Sequence, residues 1–370
     1  MPSEAPSADA KARPRNASNL HGIDYAAAAA TLPRLGHPII DVHAHIHGSE
    51  AARLYREVAG LYGIGSTWTM TALEQIDSVT EALQGRLRLI AVPDFMDPDR
   101  REAHGRGFLR RIEAYRARGC RLVKLWSAPR GLDLGRDSGD PDLLRLDGPA
   151  RVEAAALATS LGMGLMVHVA DPDTWFATRY ADIGRYGTKR SHLEALERML
   201  ERFPGPWLAA HMAGWPEDLE FLDGLLERHP ALRLDCSAAK WMIRELSRHE
   251  PGAVAAFLWR HRGRILFGSD TVTSDEHFAV GASSEMAAKS ASRGEAFDLY
   301  ASRYWAYRTL FESDVELPSP IADPDLAMID PARFGPMDAP MLRGCRLSEE
   351  VLRSLYHDAA VALAAELDAL

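Results

Sequence analysis

Short apolar runs alternate with longer amphipathic segments along most of this chain, and this alternation limits the folds open to it. Nearly continuous apolar runs are typical of β-strands buried on both faces, and segments of about 12–20 residues with helical periodicity are typical of amphipathic helices. Strands joined by helical crossovers are parallel. The eight runs cover residues 38–45, 63–70, 87–95, 120–127, 163–170, 206–213, 231–238 and 264–270, of which 63–70 is the weakest.

Eight strand–helix units favour a closed (β/α)8 barrel, the TIM barrel, over an open α/β sheet. Two long loops interrupt the alternation, residues 171–190 after strand 5 and residues 271–345 after strand 8. Within the second loop we expect a long helix over residues 284–312 and a proline-rich stretch over residues 318–340. The other predicted helices cover residues 71–83, 99–118, 149–161, 191–203, 217–229, 252–262 and 347–369.

The composition is that of a globular protein. Hydrophobic residues make up 46% and charged residues 26% of the 370 residues, which excludes wholesale disorder. Because no linker divides the chain, we predict a single barrel domain over residues 21–370. Residues 1–20 are polar and lack periodicity, so they are predicted to form a mobile N-terminal arm.

Charge and cysteine content restrict the partners and the compartment. Forty-three Lys and Arg residues against 52 Asp and Glu give a net charge of −9, which argues against a nucleic-acid partner. No apolar stretch approaches the roughly 18–20 residues needed to cross a bilayer, so no membrane association is expected. Cys120, Cys236 and Cys345 are too far apart to suggest a disulfide framework. With no signal peptide visible, we predict a cytoplasmic protein.

Four histidines and one aspartate lie at the ends of four predicted strands. His43 and His45 are two residues apart, so both side chains point to the same face of the first strand. His168 ends the fifth run, His211 the sixth and Asp270 the eighth. Because the carboxyl ends of barrel strands meet on one rim, these side chains are predicted to converge there. Imidazole and carboxylate donors in that arrangement indicate a metal site that keeps room for water.

Each of these signals is weak when taken alone. A His-X-His pair is common without a metal, and a single histidine at a strand end is more often a hydrogen-bonding residue. The FGSD sequence that ends in Asp270 can also be the N-cap of a helix. Their occurrence together at four strand ends, in one order, is what favours metal binding.

The order of motifs IIDVHAH, VKL, VHVAD, AAHMAG and FGSD resembles the amidohydrolase superfamily. It is most similar to the amidohydrolase-2 branch, which includes aminocarboxymuconate-semialdehyde decarboxylase and related hydrolases, and the resemblance covers about residues 37–370. It implies a distorted (β/α)8 barrel that binds one divalent metal ion, Zn²⁺ by preference, with Mn²⁺, Fe²⁺ or Co²⁺ as alternatives. It also implies metal ligation by His43, His45, His168 and Asp270, and catalytic roles for Asp270 and His211.

One residue near the C-terminus departs from the family pattern. The family's last helix carries an Asn–Ala pair after a tyrosine, whereas this chain has Ala359 where that asparagine is expected, in the segment LYHDAAVAL. Because this asparagine is interpreted as structural, the departure leaves the catalytic prediction unchanged.

Cationic and aromatic residues near the strand ends are candidates for substrate contacts. Lys124 either binds an acidic substrate as an unmodified cation or, as in binuclear relatives, is carbamylated and bridges two metals; we favour the first. Trp126, Trp175 and Arg244 would then line a pocket for a planar carboxylate. The alternative is that the aromatic side chains simply seal the long loops onto the barrel.

The remaining candidate residues are predicted to be structural. His47 is interpreted as a loop residue that supports the metal site, and Cys236 as a buried apolar side chain. Five histidines in helical segments are expected at the surface: His104, His192, His229, His249 and His261.

These features predict a metal-dependent hydrolase that uses a metal-activated water on a small-molecule amide, ester or lactone. The alternative is a non-oxidative decarboxylase, that is a lyase, acting on an aromatic or unsaturated carboxylic acid. A third interpretation is a catalytically idle barrel that serves as a binding protein. A homodimer is also predicted, with Tyr304, Trp305 and Tyr307 as an interface patch.

Overall fold

The structure is a computed structural model that describes residues 16–279, 284 and 286–370. Its main feature is one nine-stranded parallel sheet in the order β8-β7-β6-β5-β4-β3-β2-β1-β9, and a separate antiparallel pair joins β10 to β11. The strands are β1 (Ile39–His45), β2 (Ile64–Thr69), β3 (Leu87–Ala91), β4 (Leu122–Trp126), β5 (Gly164–His168), β6 (Trp207–Ala209), β7 (Leu232–Asp235), β8 (Ile265–Leu266), β9 (Thr271–Val272), β10 (Glu316–Pro318) and β11 (Met341–Arg343).

The sheet closes into a barrel between β1 and the last strand segments. The Val42 amide donates to the Phe267 carbonyl at 2.9 Å, and the Asp270 amide donates to the His43 carbonyl at 2.7 Å. The predicted eighth strand, residues 264–270, contains only β8; β9 follows Asp270, whose φ of 56° is not that of extended backbone. Each of the eight predicted apolar runs contains a strand, and the (β/α)8 barrel is confirmed.

Helices connect the strands and cover the outside of the barrel. The helix after β1, α2, was not predicted, whereas the helices after β5, β6 and β7 match the expected periodicity within a few residues. The α-helices are α1 (Tyr25–Thr31), α2 (Ser49–Leu61), α3 (Ile76–Ala82), α4 (Arg100–His104), α5 (Arg106–Ala117), α6 (Gly131–Asp137), α7 (Pro149–Ser160), α8 (Asp173–Phe176), α9 (Ile183–Tyr186), α10 (Lys189–Arg202), α11 (Leu219–Arg228), α12 (Ala239–Leu246), α13 (Pro251–Arg260), α14 (Arg293–Glu312), α15 (Leu326–Ile329), α16 (Glu349–Arg353) and α17 (Ala359–Ala369).

Three predicted helices differ from the structure. The segment 99–118 forms α4 and α5, which are separated at Gly105, where φ is −100° and ψ is −119°. The helix predicted from residue 284 begins only at Arg293, because the Ser292 side chain caps it by accepting from the Glu295 amide. The closing helix is interrupted between α16 and α17 by a π-helical turn over Ser354–Asp358.

Two other predictions concern the ends of the chain and the dimer. Residues 1–15 of the predicted arm lie outside the described residues, and Asn16 and Asn19 donate side-chain hydrogen bonds to Asp298 of α14. The division into arm and barrel remains a prediction.

Tyr304 and Tyr307 are fully buried, so these two residues cannot form the predicted interface patch. In the described part of the chain, no helix is both long enough and apolar enough to cross a membrane.

Gly214, which follows β6, and Gly263, which precedes β8, both have left-handed backbone but differ in the space around them. A Cβ at Gly214 (φ 73°) would lie 2.1 Å from the Ala170 carbonyl oxygen, whereas one at Gly263 (φ 79°) would meet nothing within 4 Å. We expect Gly263→Ala to cost about 1–2 kcal/mol through its left-handed backbone. Gly214→Ala should lose about 3 kcal/mol or more, since overpacking against fixed backbone adds about 1–3 kcal/mol. Urea unfolding of both variants measures the difference, and equal losses would contradict it.

Candidate metal centre

The ends of β1 and β8 bring together three side chains that could hold a metal ion. His43 and His45 face the barrel interior from alternate positions of β1, and Asp270 follows β8. The Nε2 atoms of His43 and His45 lie 3.4 and 3.3 Å from Asp270 Oδ1. Each of the three residues offers a ligand atom within 4.8 Å of the others.

These separations fit a divalent metal ion. Ligands about 2.0–2.1 Å from a tetrahedral metal are about 3.3–3.4 Å from one another, which is the spacing of the two imidazole nitrogens from the carboxylate oxygen. Two imidazoles and one carboxylate are also the donor set that Zn²⁺, Fe²⁺ and Mn²⁺ commonly accept. The side chains of His45 and Asp270 are 28% and 30% exposed, so the centre opens to one side.

His168 and His211 lie next to this centre in different ways. The His211 ring centroid is 4.9 Å from that of His43 and 4.5 Å from that of His168. His168 does not belong to the group of three, because its Nε2 is 2.8 Å from Asp171 Oδ1. Its Nδ1 is the nitrogen left for another partner, so ligation by His168 remains a prediction.

Asp235, at the end of β7, connects the residues of the centre. Its Oδ2 lies 2.9 Å from His43 Nδ1, and its Oδ1 accepts from the backbone amides of His211 at 2.9 Å and Ser237 at 3.0 Å. A carboxylate on Nδ1 keeps the proton there and presents the Nε2 lone pair to the metal site. Asp235 was missed in the sequence, although it ends a buried run as the other site residues do; the adjacent Cys236 was considered instead.

The backbone at the strand ends is strained. His211, Met212 and Ala213 have positive φ values of 57°, 51° and 55°, and Asp270 has 56°. Non-glycine residues in this region cost of order 1–3 kcal/mol each and persist where surrounding contacts determine them. Here the Asp235 carboxylate bonds the His211 amide, and the His43 carbonyl bonds the Asp270 amide.

Burial and charge set the protonation states of the site. Burial, with smaller contributions from neighbouring positive groups, lowers the pKa values of His43 and His211, so both imidazoles are neutral and can act as ligands or acceptors. Burial alone would raise the pKa of Asp270, but the neighbouring His45 and His43 outweigh it and hold that pKa below its usual range. The site therefore combines the neutral imidazoles of His43 and His211 with an ionised carboxylate, which suits a cation.

The metal-binding residues open into a cavity of about 610 Å³. Its wall combines the five residues of the strand ends with aromatic, aliphatic and cationic side chains from the loops. The lining residues are His43, His45, Met70, Val92, Phe95, Arg100, His104, Lys124, Trp126, Arg130, Leu134, His168, His211, Trp241, Asp270, Val272 and Met286.

Lys124 is a buried cation on this wall. It is 4% exposed, and its Nζ has no hydrogen-bond partner among the described residues. Burial lowers the pKa of Lys124 to about 8, although the negative charges of Asp235 and Asp270 oppose this shift. A buried ammonium without a partner is costly, so its position beside the cavity favours an anionic ligand.

Of the other predicted substrate-binding residues, Trp126 lines the cavity, whereas Trp175 and Arg244 lie behind its described wall. The Trp175 indole donates to Asp325 at 2.7 Å and packs 5.4 Å from Trp241, which itself lines the cavity. The Arg244 guanidinium is bound by the carboxylates of Glu245 and Asp323. Both side chains meet Asp325, which also accepts from the Trp241 indole, so they support this side of the wall. Their contact with a substrate stays a prediction.

Two histidines predicted at the surface are buried. His104 is 1% exposed and belongs to the cavity wall, while His261 is 7% exposed and pairs with Asp223. Both were assigned to the surface because they lie in helical segments with polar neighbours; His104 is the last residue of α4, next to the helix break at Gly105. Cys236 is buried as predicted, at 1% exposure.

Comparison with solved structures gives matches of low identity. An amidohydrolase from Burkholderia multivorans with bound zinc is 14% identical (TM-score 0.42), and the match covers 89% of this chain and 99% of that one. A probable 2-pyrone-4,6-dicarboxylic acid hydrolase from Acinetobacter baumannii with bound citric acid is 11% identical (TM-score 0.41; 72% and 91% covered). A 2,6-dihydroxybenzoate decarboxylase from Rhizobium is 13% identical (TM-score 0.39; 71% and 98% covered).

The family assignment comes from sequence. No curated protein matches the chain. A family model described as amidohydrolase, Amidohydro_2, matches residues 40–363, which includes every strand of the barrel except the first residue of β1. The chain therefore belongs to the amidohydrolase family that this model represents.

Proposed function

We propose that this protein is a metal-dependent hydrolase that acts on the carbonyl carbon of a small amide, ester or lactone. The observation that carries the proposal is the approach of His43 and His45 Nε2 to within 3.4 Å of Asp270 Oδ1, at the rim of a cavity of about 610 Å³. Barrel enzymes build their active sites at this end of the strands.

The residues that would hold the ion are His43, His45 and Asp270, with His168 as a fourth ligand through its Nδ1. We propose Zn²⁺ as the ion, since nitrogen-rich sites with about 3.3–3.4 Å ligand spacing suit its tetrahedral preference. When bound, such an ion supplies a Lewis acid that lowers the pKa of water from 15.7 towards about 7.

Asp270 is the proposed general base. Its Oδ1 faces both histidines of β1, which leaves Oδ2 to accept a proton from water on the exposed side of the carboxylate. The low pKa of Asp270 keeps it ionised, and the proton can then pass to the leaving group of the substrate.

His211 is proposed to accept a proton during the reaction. The Ser237 hydroxyl donates to Asp235, so the neutral His211 ring donates from Nδ1 to that hydroxyl, 2.8 Å away, and its Nε2 is left as an acceptor. An imidazole held in place with an unprotonated nitrogen can take part in proton transfer at the substrate. The wall formed by Trp126 and Trp241 would exclude bulk water from that nitrogen.

A second candidate is the non-oxidative decarboxylation of an aromatic or unsaturated acid. The specific observation in its favour is the unpartnered Lys124 ammonium, together with Arg100 and Arg130 on the same wall. Three cations favour an acidic substrate, which both reactions can accept. We propose that Lys124 is not carbamylated and pairs with a carboxylate of the substrate, because a carbamate would add negative charge beside Asp235 and Asp270.

Product analysis can separate the two reactions, and chelation tests whether activity requires a metal ion. Chelated protein should lose its activity and recover it with Zn²⁺, and Asp270→Asn should lower kcat by at least about 100-fold because the proton acceptor is lost. A panel of esters, lactones and aromatic acids is assayed for acid product and for released CO2. Asp97→Asn, at a half-buried position between β3 and α4 that does not line the cavity, is the control. CO2 release without hydrolysis would replace the first proposal with the second, and full activity without metal would overturn both.

The second prediction concerns metal affinity. Asp235→Asn should weaken Zn²⁺ binding about 10–100-fold, because the amide no longer holds the His43 tautomer that presents Nε2. Competition with a chromogenic chelator gives the affinity. Asp77→Asn, whose side chain is 85% exposed, should leave it unchanged. Unaltered affinity in Asp235→Asn would show that the carboxylate does not orient the ligand.

The third prediction concerns substrate charge. Lys124→Met should raise the inhibition constant of benzoate about 10–100-fold, since a charge-assisted hydrogen bond contributes about 1.5–3 kcal/mol. The neutral isostere benzamide should bind wild type and variant alike. If both compounds weaken equally, the variant has altered the cavity shape and Lys124 is not the carboxylate partner.

A further inference from the structure

His104 is a buried histidine whose position depends on a break between two helices. It is the last residue of α4, and Gly105 separates it from α5. A Cβ at Gly105 would lie 2.6 Å from the Arg101 carbonyl oxygen, so only glycine fits this junction. The ring of His104 reaches the cavity wall from the loop that follows β3.

The Arg151 guanidinium fixes the protonation of this ring. Arg151 is fully buried, and its Nη2 lies 3.1 Å from His104 Nδ1 while its Nη1 donates to the His104 carbonyl at 3.4 Å. Arginine has five donor hydrogens and no acceptor, so Nδ1 must accept from it. The neutral ring then carries its hydrogen on Nε2.

The charge environment keeps His104 neutral. Burial, and then the positive charges of Arg151 and Arg100, lower the pKa of His104 to about 3. A ring that cannot take a second proton near neutral pH cannot act as an acid in turnover, but it is a permanent hydrogen-bond donor through Nε2.

This donor has no acceptor in the described part of the protein. His104 Nε2 is buried and makes no hydrogen bond, although a buried donor left unsatisfied costs about 1–3 kcal/mol. Because the residue borders the cavity, a small shift of the side chains that cover Nε2 would let a ligand in that cavity supply the missing acceptor.

The surroundings indicate the chemistry of that ligand. Phe95 lies edge-on to both His104 and Trp126, at centroid distances of 5.7 and 6.3 Å. Arg100 and Arg130 line the same cavity. Aromatic edges suit a planar ligand, and the two cations suit an anionic oxygen.

We propose that His104 is a specificity-determining residue that donates from Nε2 to an oxygen on a planar acidic substrate, separate from the oxygen at the metal centre. The proposed metal ligands lie at the ends of β1 and β8, whereas His104 lies in α4, between β3 and β4. One ligand would therefore be held both at the metal centre and at His104. This inference rests on the proposed function and adds the substrate class, a planar acid with a second oxygen-bearing substituent. Arg151 is a positioning residue that acts through His104.

Two variants and two probes test the proposal in the Zn²⁺-loaded protein. Benzene-1,3-dicarboxylate carries a second carboxylate that benzoate lacks, so wild type should bind it at least about tenfold more tightly in calorimetry. His104→Leu should abolish this preference. His104→Gln should keep most of it, because its amide oxygen can accept from Arg151 while its nitrogen donates to the ligand. His229→Leu, outside the cavity, is the matched control.

Nitrogen-15 NMR of the histidine rings gives a readout that does not require activity. His104 should show hydrogen on Nε2 and none on Nδ1, and benzene-1,3-dicarboxylate should shift that Nε2 hydrogen downfield. Hydrogen on Nδ1, or an unchanged preference in His104→Leu, would overturn the inference. If the Nε2 hydrogen responds to the probe while no ester, lactone or acid is turned over, the binding inference stands and the proposed function fails.

Discussion

The buried carboxylate of Asp235 is the interaction on which the metal centre depends. It bonds the His43 ring on one side and the backbone amides of His211 and Ser237 on the other, so it ties the ends of β1, β6 and β7 together. Burial alone would raise the pKa of Asp235, but His43 outweighs burial and lowers it. An ionised group without solvent persists only with such a complete set of partners. The unusual backbone of His211, with a φ of 57°, accompanies this contact, because its amide donates to Asp235 in that conformation.

The wall of the cavity is built on a different principle from the metal centre. The centre is held by hydrogen bonds between strand ends. The wall contains the buried cation Lys124, and Arg151 lies behind it against His104; both cations have atoms left unpaired in the described structure. Buried polar groups without partners are uncommon and concentrate at functional sites. The barrel supplies a rigid frame, and the loops after β3 and β4 supply the chemical selectivity, as expected for this architecture.

The barrel could be predicted from sequence, and the proximity of His43, His45 and Asp270 follows from it, whereas ligation by the four proposed residues stays a prediction. Apolar runs mark strands buried on two faces, and strands in a closed barrel bring their ends together whatever lies between them. The features that were missed are not periodic. Nothing in the sequence around Asp235 distinguishes it from other polar residues at strand ends. The ion pair of Arg244 with Asp323 joins residues far apart in the chain, so the sequence does not reveal it. The position of His104 depends on the end of α4 at Gly105.

The seam between β8 and β1 has a consequence for how the protein matures. Asp270 donates its backbone amide to the His43 carbonyl at the point where the cylinder closes, so residues at opposite ends of the barrel sequence must meet before the candidate metal site is complete. A nascent chain, or one released before its eighth unit is made, holds the two histidines of β1 without the carboxylate. In such a chain the candidate site cannot form before the barrel closes.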